Sequence, residues 1–366
     1  MKILLLSDPD SPHTVRWANS LSNKGLQVFL FGLCDYNAVD YSKEVSIRLF
    51  KTPENIKGKL RGNFIKSVYL LALPKLKKFI SEVKPDIIHA HYAASYGLLG
   101  ALTGFHPFIL SVWGIDILTF PGISVLHKSL IRFALNKADQ ILATSSYLKE
   151  KTNLLTNKEV NVTPFGVDTD KFRPAEKLME QAKDEIVIGN IKSLEGKYGI
   201  DTLLKTFKIV LNSNPGLKVR LLLVGGGSLE NEFRKLSKSL NVEKNVTFAG
   251  RINPGQIYQY HNMIDIEVYL STVESFGVSV LEASASGNPV VVSDVGGLSE
   301  VIVDGVTGFK IPAGDPPSAA AAIQKLIIDK SLREKMGKAG REFVLRKYQW
   351  KKSVENMLKI YENIIK

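Results

Sequence analysis

A chain of 366 residues with 45% hydrophobic and 23% charged residues is too long for one ordinary core and too apolar for disorder, so two α/β domains are expected. A single cysteine, Cys34, excludes a disulfide framework and a multi-cysteine metal site, and favours a reducing compartment such as the cytoplasm. The net charge of +12 asks for an anionic partner or a solvated basic face.

The run Met1–Ser7 stops at Asp8-Pro9-Asp10 and reads as a buried strand rather than a secretory signal. Apolar stretches along the chain are broken well before the ~20 residues needed to span a bilayer. The expectation is therefore a soluble protein, at most peripheral on the inner face of a membrane. Further strands are expected at Val28–Phe31, Val45–Leu49, Asp86–His91, Phe108–Val112, Gln140–Thr144 and Val160–Thr163. Helices are expected at Pro12–Asn23, Phe64–Val83 with a break at Pro74, Ser124–Asn136 and Ser145–Leu155. Such alternation argues for a doubly wound parallel sheet. His13 and Arg16 sit where the first loop enters a helix, with a cleft-facing role and a capping or surface role equally open.

Residues 51–84 carry Lys51, Lys57, Lys59, Arg61, Lys66, Lys75, Lys77, Lys78 and Lys84 against Glu54 and Glu82. Aromatic and aliphatic residues from Phe64 to Ile80 interleave with them at helical spacing. A basic amphipathic segment can lie on anionic lipid; the plainer alternative is a helix packed on the sheet with its lysines in solvent. No nucleic-acid-binding motif accompanies the charge, so no nucleic-acid partner is expected. His89 and His91, two apart on a strand, share one face, and nearby sequence offers no further metal ligands. One should pack and the other face the cleft.

The pattern pauses at Pro164–Pro174, which holds two prolines, a glycine and aspartates in turn-like order. This places a first domain at 1–170 and a second at 184–348, with a terminal helix at about 350–366 packing back on the first. The second series of strands is expected at Ile186–Ile191, Val219–Val224, Val246–Ala249, Ile266–Leu270, Val290–Ser293 and Phe309–Ile311. Helices are expected at about Ile200–Asn212, Ser228–Asn241, Val278–Ser286 and Pro317–Asp329, and at Ser331–Lys347 and Ser353–Ile364.

Val224-Gly225-Gly226-Gly227-Ser228 precedes a helix, an arrangement that lets backbone approach an anion. Alone it is weak, because position 230 is Glu and the Gly-x-Gly-x-x-Gly of a dinucleotide site is incomplete. Glu282 is more informative. It lies in the small, apolar run Val278–Ala285, where a carboxylate is costly unless hydrogen-bonded; a ribose diol would supply two donors. Glu274 stands just before that helix, beside Ser275-Phe276-Gly277, whose amides would point from its N-terminus. A helical separation of up to ~12 Å is wide for a glycosidase pair, which needs ~5–9 Å, and suits the two ends of a nucleotide-sugar. A second Gly-Gly pair, Gly296-Gly297, follows a further buried strand.

Together Val224-Gly-Gly-Gly-Ser, Glu274-Ser-Phe-Gly…Leu-Glu282-Ala, Gly287-Asn-Pro-Val, Val295-Gly-Gly-Leu-Ser-Glu300 and Asp304-Gly…Gly308 resemble the donor half of retaining GT-B glycosyltransferases of the group 1, or family 4, type. The resemblance implies an α/β, GT-B fold, with two Rossmann-like domains facing a cleft. It implies that Glu274 contacts the donor sugar, that Glu282 contacts the ribose, and that the amides around Phe276 and Gly277 meet sugar or phosphate. A basic pair on the diphosphate is usual in that family; Lys197 matches its lysine. Ser193 stands in place of the usual arginine, with Lys192 beside it. A leaving diphosphate gains charge as the glycosidic bond breaks, which makes Lys197 the expected electrophilic residue, against the plain alternative of a solvated loop lysine.

The first half resembles the same family through Pro85-Asp-Ile-Ile-His89-Ala-His91 and Trp113-Gly-Ile-Asp116. Where most members have His-Gly-x-Asp, this chain has Trp113, which cannot take a proton but can stack on a sugar or donate its N–H. His91 is then a candidate to replace that histidine, and Asp116 to bind an acceptor or structural hydroxyl. The implied reaction moves a sugar from a UDP- or GDP-sugar, without a metal or other cofactor, to a saccharide or lipid-linked acceptor, in cell-surface polysaccharide or glycolipid synthesis. A nucleotide-sugar epimerase and a non-catalytic nucleotide-sugar-binding subunit are the alternatives.

Overall fold

The structure is a computed structural model that describes residues 1–34, 41–50, 65–175 and 185–366. Within them each expected strand is present, its ends displaced by no more than a residue. Residues 51–64, which include much of the basic stretch and the expected helix start at Phe64, lie outside the described residues.

The chain divides into two units, Met1–Pro164 with Ser353–Lys366, and Phe165–Lys352. In the first, β1 (Lys2–Leu6), β2 (Gln27–Gly32), β3 (Ser46–Leu49), β4 (Ile87–His91), β5 (Phe108–Val112), β6 (Gln140–Ala143) and β7 (Val160–Val162) form one sheet in the order β3-β2-β1-β4-β5-β6-β7. In the second, β8 (Glu185–Ile191), β9 (Lys218–Val224), β10 (Val246–Gly250), β11 (Ile266–Tyr269), β12 (Val290–Ser293) and β13 (Gly308–Ile311) are ordered β10-β9-β8-β11-β12-β13. All ladders between these strands are parallel. Strand order therefore reverses between β1 and β4 in one sheet and between β8 and β11 in the other. Ligands of open α/β sheets bind at the carboxyl ends of the strands beside such a reversal, and that rule directs attention to the loops after β1, β4, β8 and β11.

Strands β4 and β5 are buried at every position, His89, His91 and Ser111 included, as sheets covered on both faces require. The helix Leu73–Val83 turns Leu76, Phe79 and Val83 into the core and leaves Lys75, Lys77 and Lys78 exposed. In this described part of the basic stretch the apolar stripe is spent on packing. Among the described residues the short helices Ile115–Leu118 and Ile257–His261 have no counterpart among the expected elements, and neither does the longer helix Tyr96–Thr103. Its run Tyr-Gly-Leu-Leu-Gly-Ala-Leu-Thr has no polar face, so no amphipathic period reveals it. It packs so closely on β5 that a Cβ at Gly97 would lie 2.7 Å from Leu110, and one at Gly100 would lie 2.5 Å from Phe108. The last helix, Trp350–Ile365, crosses the unit boundary in sequence. From Ser353 onward it belongs to the first unit, where the buried Tyr361 hydroxyl meets His89 Nδ1 at 2.7 Å. No helix among the described residues is long and apolar enough to cross a membrane.

Candidate functional site

In the second unit, the loops after β8, β9, β11 and β12 converge through glycine. Gly225 adopts φ +137°, and a Cβ there would lie 2.1 Å from the Lys192 carbonyl; at Gly227 it would lie 2.3 Å from the Leu194 carbonyl. The amide of Gly225 donates to Gly250 O at 2.9 Å, and Gly226 O accepts from Leu194 N at 3.1 Å. Gly225 and Gly227 therefore seat the Lys192–Leu194 loop. The anion at the following helix start is the chain's own: Ser228 donates its amide (2.7 Å) and hydroxyl (2.6 Å) to the Glu195 carboxylate. These bonds hold Glu195 below the usual carboxylate range. The expectation that this turn cradles a ligand anion is thus revised at Ser228, whose donors are occupied, and Gly225 and Gly226 build the loop next door.

That loop brings two of the expected residues together. Lys192 Nζ lies 2.7 Å from Glu274 Oε2, with the side chains 15% and 12% exposed. Burial works against the ammonium, but the nearby Glu274 carboxylate outweighs it and holds the lysine above its usual pKa. Lys192 and the exposed Lys197 each place Nζ 4.9 Å from the Tyr198 ring centroid, within cation–π range. Gly297 donates to Glu274 O at 3.0 Å and could carry no side chain, since its Cβ would lie 2.2 Å from the Ser275 carbonyl. Phe276, 2% exposed, is fixed edge-on to Tyr348 at 5.8 Å. Gly277, at φ +110°, turns the chain into the helix Val278–Ala285, so Glu274 lies one turn ahead of that helix and Glu282 within it. A helix N-terminus leaves amides free for an anion.

Glu282 is 18% exposed, and behind it lies a cluster the sequence reading missed. His261 and Glu267 are fully buried, with His261 Nδ1 2.6 Å from Glu267 Oε1. Glu267 also accepts from the Tyr269 hydroxyl at 2.5 Å and from Asn288 Nδ2 at 2.8 Å. His261 Nε2 points the other way, 3.7 Å from Glu282 Oε2. Burial disfavours the imidazolium, yet Glu267 and then Glu282 outweigh it and push His261 up to about 9. Glu267 was visible in the sequence as a charge inside the strand Ile266–Leu270, a costly position without partners.

In the first unit, Trp113 is 7% exposed. It stacks on His91 at 4.3 Å and meets Tyr92 and His13 edge-on at 5.1 and 5.9 Å. Little of its face remains for a sugar. His91 is 1% exposed, with Nδ1 2.9 Å from Ser7 Oγ. Burial first, then the charges of His89 and His13, place its pKa well below the ordinary histidine value. A ring so placed is a poor base, which turns the expectation of a cleft-facing catalytic His91 into a support for Trp113. Asp116, 2% exposed, accepts from the amides of Ala93 (2.8 Å), Gly114 (2.8 Å) and Trp113 (3.3 Å). Its carboxylate is committed to bracing this turn, although burial lifts its pKa above the usual range. Arg16 and His13 are half-buried on the helix Pro12–Ser22. Among the described residues no group of three or more His, Cys, Asp or Glu could hold a metal ion.

Burial lowers His89 to about 3, against about 6.5 in an unfolded chain. A depressed histidine pKa contributes stability that is full above about pH 6.5 and is lost as the pH falls towards 3. Denaturant unfolding between pH 7.5 and 4 should show a falling midpoint, and His89→Gln should flatten that dependence.

The model of the family described as glycosyl transferases group 1 matches residues 173–343, and that of the glycosyl transferase 4-like family matches residues 2–145. The capsular polysaccharide biosynthesis glycosyltransferase CapM of Staphylococcus aureus is 29% identical over 81% of this chain and 82% of its own length. Sucrose-phosphate synthase from Thermosynechococcus elongatus superposes with a TM-score of 0.84 at 20% identity, over 99% of this chain and 98% of that one. Anabaena HepE, solved in complex with UDP-glucose, superposes with a TM-score of 0.81 at 19% identity, over 99% and 100%.

Proposed function

Given that this chain belongs to the group 1 glycosyltransferases and has the GT-B fold, we propose that it moves a sugar from a UDP- or GDP-sugar to a saccharide or lipid-linked acceptor, with retention at the anomeric carbon. The observation that carries the reading is the pair of glutamates in the second unit, one ion-paired to Lys192 ahead of a helix and the other part-exposed within it. Glu282 takes the ribose hydroxyls. Glu274, held by Lys192, takes hydroxyls of the transferred sugar. The helix start at Gly277–Val278 and the exposed Lys197 meet the charge that builds on the diphosphate as its bond to the anomeric carbon breaks. The acceptor oxygen bonds to that carbon on the face the diphosphate leaves, and a diphosphate oxygen takes the acceptor proton. No side-chain base is needed, which suits a first unit whose His91 is buried and whose Trp113 cannot take up a proton. The name of CapM supports a place in surface polysaccharide synthesis, and the UDP-glucose bound to HepE supports a nucleotide-sugar donor.

The test is nucleoside diphosphate release from UDP- and GDP-sugars with candidate acceptors, in EDTA, with the product anomer assigned by NMR. Acceptor-dependent release and a product of the donor's configuration are expected. Release that needs a divalent cation, or an inverted product, would remove the metal-free or the retaining part of the proposal.

A further inference from the structure

The buried charges behind Glu282 do more than fill a core. Glu267 sits on β11 with no solvent contact and three donors on its carboxylate, from His261, Tyr269 and Asn288. Asn288 also donates to the His261 carbonyl at 2.6 Å, and Phe172 lies edge-on to the imidazole at 5.5 Å. The ring is therefore held at its backbone, at Nδ1 and on its flank. Apolar residues would fill such a space at no cost in desolvation, so the arrangement calls for a use. The free end, Nε2, is aimed at Glu282, whose carboxylate reaches solvent. At 3.7 Å the two attract as charges but stop short of a full hydrogen bond.

We propose that His261 is a positioning residue for donor binding: clamped by Glu267 through Nδ1, it presents Nε2 to Glu282 and holds that carboxylate where a ribose diol can engage it. A cation behind the carboxylate restrains its rotamer while leaving lone pairs for the two hydroxyls. The chain of contacts runs from a strand core (Glu267) through a short helix (Ile257–His261) to a second helix (Glu282). Ribose selection then depends on a residue that never touches the nucleotide. This inference rests on the reading of Glu282 as the ribose ligand.

Calorimetric titration of UDP and GDP, each against its 2′,3′-dideoxy counterpart, separates the two. Wild-type protein should bind the better nucleotide about tenfold or more tightly than its dideoxy form, as hydrogen bonds to a charged group require. Glu282→Ala should bind both forms about equally. If wild-type protein does not discriminate, or Glu282→Ala still does, the ribose assignment fails and takes this inference with it. With that assignment standing, His261→Gln and His261→Phe should lose most of the discrimination while still unfolding cooperatively. A histidine that only stabilised the fold would lower the unfolding midpoint and leave discrimination at the wild-type ratio, which would overturn the proposal. Should either variant fail to fold, nitrogen-15 NMR of the six histidines in wild-type protein decides. The His261 ring signal should shift on saturation with the ribonucleotide and not with its dideoxy form, and an equal response to both would contradict the proposal.

Discussion

Glu274→Ala is expected to lower sugar transfer by about 100-fold, because hydrogen bonds from the donor sugar to a charged group are lost and the sugar is no longer held in line. The same change leaves Lys192 with its 15%-exposed ammonium unpaired, at a cost of about 3 kcal/mol. The two effects can be separated. Adding Lys192→Met to Glu274→Ala removes the stranded charge and should restore much of the stability, while transfer stays low. Urea unfolding of the single and double variants, beside donor turnover, supplies the comparison. Recovery of turnover in the double variant would mean that Glu274 serves only to neutralise Lys192.

Glu267→Ala should be among the most damaging single changes in the second unit. It removes the close partner of a fully buried imidazolium and an acceptor of one Asn288 proton, and leaves the Tyr269 hydroxyl only the longer bond to Ser279 O at 3.3 Å, at a cost of about 4 kcal/mol. Unfolding midpoints in denaturant measure this directly. Glu267→Gln keeps the shape and some of the bonds and should cost about half as much. The stability that His261 gains from its raised pKa of about 9 is full below about pH 6.5 and is lost as the pH rises through 9. In Glu267→Ala that alkaline loss should shrink.

The strands were legible because parallel sheets covered on both faces impose apolar runs, and those of β1, β9 and β12 are plain to read. The helix Tyr96–Thr103 was not, because its apolar and small residues on every side leave out the polar face that marks a helix. Glu282 was found by the cost of a carboxylate in a small, apolar helix, and the same argument applied to Glu267 would have found the buried cluster. His261 gave no such sign, since a single histidine beside an asparagine reads as surface until its partners are known. The packing alternative for the glycine turn needed the structure to be seen: Gly225 and Gly227 make room for the Lys192 and Leu194 carbonyls, a contact between loops far apart in sequence. Spacing put His89 and His91 on one strand face and the family resemblance made His91 and Asp116 candidates beside Trp113, but neither reports that burial would lower the basicity of His91 and that three amides would occupy Asp116.

The proposed donor site in the second unit is tested most directly by titrating UDP-sugars and GDP-sugars into wild-type protein and into Glu282→Ala, with both confirmed folded. Saturable binding of one class by wild-type protein, weakened by at least about tenfold in the variant, is the expected result. Binding that Glu282→Ala leaves unchanged, or no binding of either class, would contradict the assignment.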